Sequence, residues 1–401
     1  MTFRAVLLAV LMVVSLGSGA TATTAAAQQA ESNAYTGVHV EFETGSNSVS
    51  NYAVNDNVIV TNATMQSASE VRNRADIDAG VGIDAIGSIA GAEVESRTET
   101  RTSVSVGFSN GGEIRSNDNE RGVVQFVAGG EDQFVQVETS SDTEAESVSE
   151  SRVVVEKDDG TQGTFIVVGE GEVDTNSEGQ INAELERGSE LAYRQYDDER
   201  SDTDEESERM IENGTATAEV YVQQAGEDGQ ETATNAVEYG SETTVEIQNE
   251  SESQIEMTVE RAQSDGKVVL ANVAEEAFDS AEDIEVLVDG EAATRADSYS
   301  AVEMSAAEGD EPRYYVSQSA SAEATTDVAI GIDHFSERTV TMTSDSTDDG
   351  TDDGTTDGSG EETTESSDSD GTSSSDGNGA GFGIFAALVA LAGALLAART
   401  R

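Results

Sequence analysis

The stretch Gly107-Phe-Ser-Asn-Gly111 fits G-x-S-x-G, the turn on which a hydrolase exposes a nucleophilic serine. Ser109 is its central residue, and His334, one of only two histidines, is the formal base. Such an elbow needs a strand before it and a helix behind it. A strand-like run precedes, but "GEIRSNDNERG" follows and reads as turn and hairpin, so a tight turn is expected. "GVGIDA" (80–85) fits G-x-G-x-x-A, yet it lacks the preceding apolar strand of a dinucleotide site. In "DTNSEGQINAEL" (174–185), Asp174, Asn176, Glu178 and Gly179 fall at the first, third, fifth and sixth positions of a calcium loop. The twelfth is Leu185, where a bidentate glutamate is needed. The acidic turn Asn117-Asp118-Asn119-Glu120 offers further oxygens, against the alternative of a solvated, salt-adapted turn. His39 and His334 lie far apart in a chain with no cysteine, which argues against zinc. Carboxylates are too abundant for any glycosidase pair to stand out. No catalytic, cofactor or metal residue is therefore assigned, and no enzyme activity is expected.

The remaining chemistry is modification. Asn62-Ala-Thr64, Asn213-Gly-Thr215 and Asn249-Glu-Ser251 are N-glycosylation sequons, of use only in an exported chain.

The elements that carry these residues read as strands. From residue 34 to 343, short alternating runs such as "NVIVTNATMQ", "RGVVQFVAGG", "TATAEVYVQQ" and "QIEMTVERA" are separated by turn chemistries such as "DDGTQG", "NSEGQ", "GEDG", "SDGK" and "VDGE". This spacing predicts an all-β fold of one or two β-sandwich-like domains with a few short helices, not βαβ units. Three segments break the pattern: 79–94, 197–214 and 274–283. The second carries Glu205 and Arg209 at helical spacing, predicting a short helix with an ion pair between them. A domain boundary is placed there, giving domains 28–200 and 201–343. Tyr193, Tyr196, Tyr314 and Tyr315 are candidates for an exposed aromatic cluster in a binding module, with strand-face core positions as the alternative.

The 401 residues include 81 acidic and 20 basic ones, a formal charge of −61, and only Lys157 and Lys267 are lysines. Residues 344–379 hold 12 acids and no base; without them and Arg4, Arg399 and Arg401, 69 acids still face 17 bases. The folded region is thus acidic in its own right. Valine- and isoleucine-rich strands argue against general disorder, so the charge predicts a folded surface suited to molar salt, which screens repulsion to within ~3 Å. Such a surface repels nucleic acid.

Residues 1–27 read as a signal peptide: Arg4, an apolar run from Ala5 to Leu16, then small residues with cleavage near Ala25-Ala26-Ala27. The alternative is an uncleaved anchor. Residues 344–379, with 16 Ser or Thr and 7 Gly, predict a disordered stalk whose hydroxyls are O-glycan candidates. As a coil it reaches about 30–36 Å. Residues 380–401 form a membrane anchor or sorting segment: 19 uncharged residues, long enough to cross a bilayer as a transmembrane helix, then Arg399 and Arg401, which orient its end to the cytoplasm.

This arrangement resembles the PGF-CTERM surface proteins of haloarchaea, which have a signal peptide, an ectodomain, a Thr/Asp-rich stalk, a Pro-Gly-Phe tripeptide, an apolar helix and terminal arginines. Here the motif reads Ala380-Gly381-Phe382-Gly383, with alanine in place of the proline. The resemblance implies processing by an archaeosortase and attachment to an archaeal lipid; the alternative is a retained transmembrane helix. "VAIGIDHFSERTVTM" also resembles the closing strand of haloarchaeal ectodomains. The expectation is an exported protein on the outer face of the membrane. It would be a structural or adhesive component of the envelope, S-layer-associated, among envelope glycoproteins. The alternatives are a surface-anchored module binding a glycan or solute and, third, a secreted hydrolase.

Overall fold

The computed structural model describes residues 40–75, 94–99, 103–108, 110–196, 199–225, 231–240, 242–251, 254–274, 284–309, 311–318 and 325–344. The predicted signal peptide, stalk and anchor lie outside them, as do His39, Ser109, the glycine motif at 80–85 and the turn "GEDG". So do the pattern-breaking segments 79–94, a short helix or a glycine-loosened strand by sequence, and 274–283, one or two helical turns by sequence, apart from Val94 and Ala274, which are in strands.

The chain is mostly β. Its first half runs β1 (Val40–Gly45), β2 (Ser48–Val54), β3 (Asn57–Ser67), α1 (Ala68–Ala75), β4 (Val94–Glu99), β5 (Ser103–Gly107), β6 (Glu113–Asn117) and β7 (Val124–Val127). It continues with β8 (Gln133–Thr139), β9 (Thr143–Ser149), β10 (Arg152–Lys157), β11 (Gln162–Val168), β12 (Gly171–Thr175), β13 (Ile181–Leu185) and β14 (Glu190–Tyr196). These form two seven-stranded sheets, β12-β13-β8-β3-β2-β1-β4 and β5-β6-β7-β14-β11-β10-β9, with every pairing antiparallel. Strand alternation turns Val40, Phe42, Tyr52, Met65 and Val135 of one sheet toward Phe126, Phe165, Leu191 and Tyr193 of the other, and these fill one core. One ring contact bridges the sheets, Tyr52 meeting Tyr193 edge-on at 6.4 Å, and Tyr193 packs in turn on Phe165 of its own sheet at 4.6 Å.

The second half follows α2 (Asp202–Glu212). It comprises β15 (Ala216–Ala225), β16 (Glu231–Glu238), β17 (Thr243–Ser251), β18 (Gln254–Arg261), β19 (Asp265–Ala274), β20 (Ile284–Val288), β21 (Glu291–Ala292), β22 (Thr294–Arg295), α3 (Tyr299–Glu308), β23 (Arg313–Gln318), β24 (Thr325–His334) and β25 (Glu337–Ser344). A six-stranded sheet, β16-β15-β19-β24-β23-β22, faces a five-stranded one, β17-β18-β25-β20-β21. Between them lie Val220, Met257, Ile284, Tyr314, Ile330 and Met342. Two pairings here are parallel, β15 with β19 and β22 with β23.

A third apolar cluster joins the two halves. Val123, Ile166, Val168 and Ala192 of the first pair of sheets meet Tyr221, Val237, Val268 and Leu270 of the second, with Met210 and Ile211 of α2 and Val302 and Ala306 of α3 between them. All described residues fall in one compact unit. The chain passes from one pair to the other between Tyr196 and Ala216, through α2.

Helix α2 forms where the charge run predicted it. Ser201 caps it: its hydroxyl accepts from the Asp204 amide, and the Asp204 carboxylate accepts from the Ser201 amide at 2.9 Å. The expected Glu205–Arg209 pair does not form. Arg209 turns to Glu206 and across to Glu303 on α3, while Glu205 accepts from Arg200. The "SDGK" turn is also displaced, since β19 already begins at Asp265. Gly266 and Gly331 let α3 lie against the sheet, because a Cβ on either would fall within 2.6 Å of the Ala306 or Val302 carbonyl oxygen.

Candidate functional site in the layer between the sheet pairs

The richest polar chemistry among the described residues lies where the two pairs of sheets meet. In β14, Leu191 and Tyr193 point into the first core, so Glu190, Ala192, Arg194 and Tyr196 must point outward. That outer face is covered, and every residue of β14 is buried. Opposite stand Glu219 and Tyr221 of β15, Asn272 of β19 and Asp327 of β24.

Glu190, Asp204, Glu208 and Glu219 each have fixed donors. Arg194 Nη2 lies 2.8 Å from Glu219 Oε1, and the Tyr239 hydroxyl donates to Glu219 Oε2 at 2.8 Å. Arg121 stacks on Tyr196 at 4.7 Å and donates to Asp204 at 2.9 Å. Glu208 of α2, wholly buried, accepts from Thr164 at 2.7 Å, Tyr196 at 2.8 Å and Arg152 at 3.3 Å, with Arg200 Nε 3.1 Å away. Gln125 donates to Glu190 within its own sheet at 2.9 Å and across to the Glu238 carbonyl of the other half at 2.7 Å. Asn119 donates to Asn235 at 3.0 Å and Asn272 to Asp327 at 2.8 Å. Removing one partner from such a buried pair costs roughly 3–5 kcal/mol, because the other charge is left uncompensated.

The layer also shifts protonation. Burial pushes the Glu190 carboxyl up to about 7 against its bonds from Gln125 and Gly240, and pushes Asp327 up to about 6. Asp118, buried beside it in the β6–β7 loop, rises to about 7 for the same reason. Asp204 behaves oppositely: burial pushes it up, but Arg121 and the Ser201 bonds hold it below the usual carboxylate range. Chemically the layer is a cement of matched charges.

The residues singled out in the sequence scatter over the fold. The residues flanking Ser109 close a hairpin: Phe108 N donates to Gly112 O at 2.7 Å and β5 pairs with β6, so no helix follows as an elbow needs. His334 ends β24 in the other half, held by Asp333 at 2.6 Å and by Arg338. The near-calcium loop is the β12–β13 hairpin, in which Asn176 Oδ1 accepts the Glu178 and Gln180 amides and Leu185 is buried in the core. Asn117, Asp118 and Asn119, candidates for a solvated turn, are buried instead at the edge of the layer. No group of three or more metal-ligating side chains occurs among the described residues. Tyr193 and Tyr314 are core residues and Tyr196 is buried in the layer; Tyr315 packs on Tyr299 at 4.9 Å. The four tyrosines therefore form no exposed binding cluster. Asn213, the C-cap of α2, and Asn249, in edge strand β17, are exposed. Asn62 is half-buried in mid-sheet, donating to Thr64, whose own side chain is buried. Ala380, Gly381, Phe382, Gly383, Arg399 and Arg401 lie outside the described residues.

Sequence reasoning missed Arg121, Arg194, Glu208, Glu219 and Tyr221. One signal was present: in a chain with 20 bases against 81 acids, an arginine inside an apolar strand run such as "ELAYRQY" is marked by its scarcity.

Two hollows open on the surface. One, about 470 Å³, lies beside α3 against Met304 and Arg313; the other, about 400 Å³, lies beside α1 between Arg72 and Arg187. Among the described residues, no helix is long and apolar enough to cross a membrane.

No family model matches the chain, and no curated protein matches it. Among solved structures, a Flavobacterium johnsoniae GH31 dextranase complexed with glucose is similar over 55% of this chain and 26% of that one, with 14% identity and a TM-score of 0.22. The match spans about a quarter of that enzyme, and a likeness of this degree carries no argument about fold or activity.

Proposed function

We propose that the protein is an exported, membrane-tethered component of a salt-adapted cell envelope. Its sandwich-like ectodomain stands on the acidic stalk of residues 344–379 and is held by the apolar segment 380–398 or by a lipid that replaces it. Its role is structural or adhesive, alongside other envelope glycoproteins. The observation that best supports this is the segregation of charge. Arg121, Arg152, Arg194 and Arg200 are each less than a fifth exposed and face carboxylates inside the fold, and Arg261 and Arg338, equally covered, face the exposed Asp265 and Asp289. The cations hold the body together, and the solvent is left facing carboxylates. A body so arranged stays soluble where molar salt screens its self-repulsion, and it repels anionic lipid and nucleic acid, so a covalent or transmembrane tether is needed to keep it at a membrane.

Protease treatment of intact host cells, followed by mass spectrometry, tests the reading. Peptides from 40–344 should be released from the cell surface, and the mature C-terminus should either retain residues 380–401 or end near Gly381 with a lipid. Full-length protein, leader included, recovered from the cytosol would overturn it. The exposed Asn213 and Asn249 should carry glycan, and Asn62, inside its sheet, should not.

A further inference from the structure

Two hairpin turns, one from each sheet of the first pair, meet through their side chains. The β2–β3 turn holds Asn55 and Asp56 at φ of 52° and 63°, and Asn57 opens β3 directly after it. The β10–β11 turn runs from Lys157 to Thr161. It is closed by bonds from the Gly160 amide to the Lys157 carbonyl and from the Lys157 amide to the Thr161 carbonyl, each 2.9 Å. Across the gap, Lys157 Nζ donates to Asn57 Oδ1 at 2.5 Å, and Asn57 Nδ2 donates to Thr161 Oγ1 at 2.6 Å. Asp159 completes the ring. Its Oδ2 lies 3.3 Å from Lys157 Nζ, and its Oδ1 accepts the Thr161 amide at 3.1 Å. The Thr161 amide and hydroxyl hold the Asp159 carboxyl below the usual carboxylate range, so it stands ionised. Amine, carboxamide, hydroxyl and carboxylate thus form a closed circuit, with Lys157 only 15% exposed and Thr161 buried.

The choice of lysine is itself informative. Of the 20 basic residues only Lys157 and Lys267 are lysines. An arginine would serve an amide oxygen and a carboxylate at least as well, because its guanidinium presents five donors in a fixed fork. A lysine amine can act as a nucleophile, and an arginine cannot.

We propose that Lys157 and Asn57 become joined by an isopeptide bond, a covalent strut between the two sheets of the first pair. Lys157 enters the step as the free amine, its third proton given up to water. A turn of the Asn57 amide about Cβ–Cγ presents Cγ, the atom next to the bonded oxygen, to Nζ. The Nζ–Cγ bond forms, and Nζ passes a proton to Asp159. The Cγ–Nδ2 bond breaks, and Nδ2 leaves as ammonia, protonated from Asp159 through the Thr161 hydroxyl. Asp159 ends as it began, and nothing is oxidised or reduced. The reaction occurs once per molecule, so it needs position more than speed. Its effect is that of a disulfide in a chain without cysteine: it ties residues 100 apart in sequence and removes freedom from the unfolded state.

Mass spectrometry of the full chain tests this. Trypsin should not cut after Lys157, and peptide 153–187 should appear joined to the peptide ending at Arg72, one ammonia lighter than the two together. Lys267, bonded to the Gly214 carbonyl and paired with Asp265, is the internal control and should be cut normally. Separate peptides, with cleavage after Lys157, overturn the proposal whatever any variant does. Lys157→Arg keeps the cation and removes the nucleophile. It should yield no joined peptide and unfold about 10 °C below the native chain. An equal midpoint in the two would overturn the strut. Asp159→Asn should leave most of the chain unlinked; complete linkage in it would overturn the part given to Asp159.

Discussion

Strand β14 belongs to two regions built on different physics. Its odd residues, Leu191 and Tyr193, join a core of aliphatic and aromatic side chains whose cohesion is dispersion and the exclusion of water. Its even residues, Glu190, Arg194 and Tyr196, join a layer in which matched charges do much of the work. The core holds nothing that salt or moderate pH reaches, whereas the layer carries groups that titrate near neutrality. One strand thus couples a part of the molecule indifferent to its medium to a part that senses it.

The largest effects should separate the two regions by kind. Phe165→Ala opens a cavity beside Tyr193 and should cost about 3–5 kcal/mol, a loss that stays constant from pH 5 to 8. Glu208→Ala removes the buried acceptor of Tyr196 and Thr164 and one of the two carboxylates facing each of Arg152 and Arg200, and should cost a similar ~3–5 kcal/mol. Urea unfolding of both variants at several chloride concentrations checks the comparison: only the Glu208 variant should change its loss with the salt.

The pH dependence should follow from the layer alone. Unfolded Asp and Glu titrate near 4, whereas burial raises Asp118 and Glu190 to about 7 and Asp327 to about 6. In that window the folded chain binds more protons than the unfolded one, so stability falls as pH rises from about 4 through 7. At ~1.4 kcal/mol per pKa unit, the loss is on the order of 3 kcal/mol for each of the three groups by pH 8. Asp204 has the opposite sign: its contribution is present above the unfolded value and is lost as pH falls through its lowered one. Thermal midpoints at fixed salt should therefore peak near pH 4–5. In Glu190→Gln the decline toward pH 8 should be shallower.

The smallest effect belongs at the edge of the layer. Arg209 is about 40% exposed, so solvent screens its pairs with Glu206 and Glu303, and Arg209→Ala should cost less than about 1 kcal/mol.

The core was the legible part. "NVIVTNATMQ", "RGVVQFVAGG" and "QIEMTVERA" show their buried faces through alternation, and the strands they predict form. Strands β9 ("TEAESVS") and β16 ("ETATNAVE") were hidden, because a polar or small-residue strand is held by its neighbours' backbone bonds and not by its own pattern. Helix α3 was missed although Ser298 caps it and Gly309 ends it, since its alanine-rich face follows no strong period. The ionic layer was hardest to read. Arg194 and Glu219 lie 25 residues apart on different sheets, and nothing local distinguishes a charge that will be buried between sheets from one that will face water.

The layer joins the two pairs of sheets into one cooperative body. Hydrogen exchange of the full chain across a urea series measures this directly. Amides of β11 and β14 should lose protection at the same urea concentration as those of β19 and β24. Exchange of β19 and β24 at clearly lower urea, while β11 and β14 remain protected, would show two independent bodies and contradict the account.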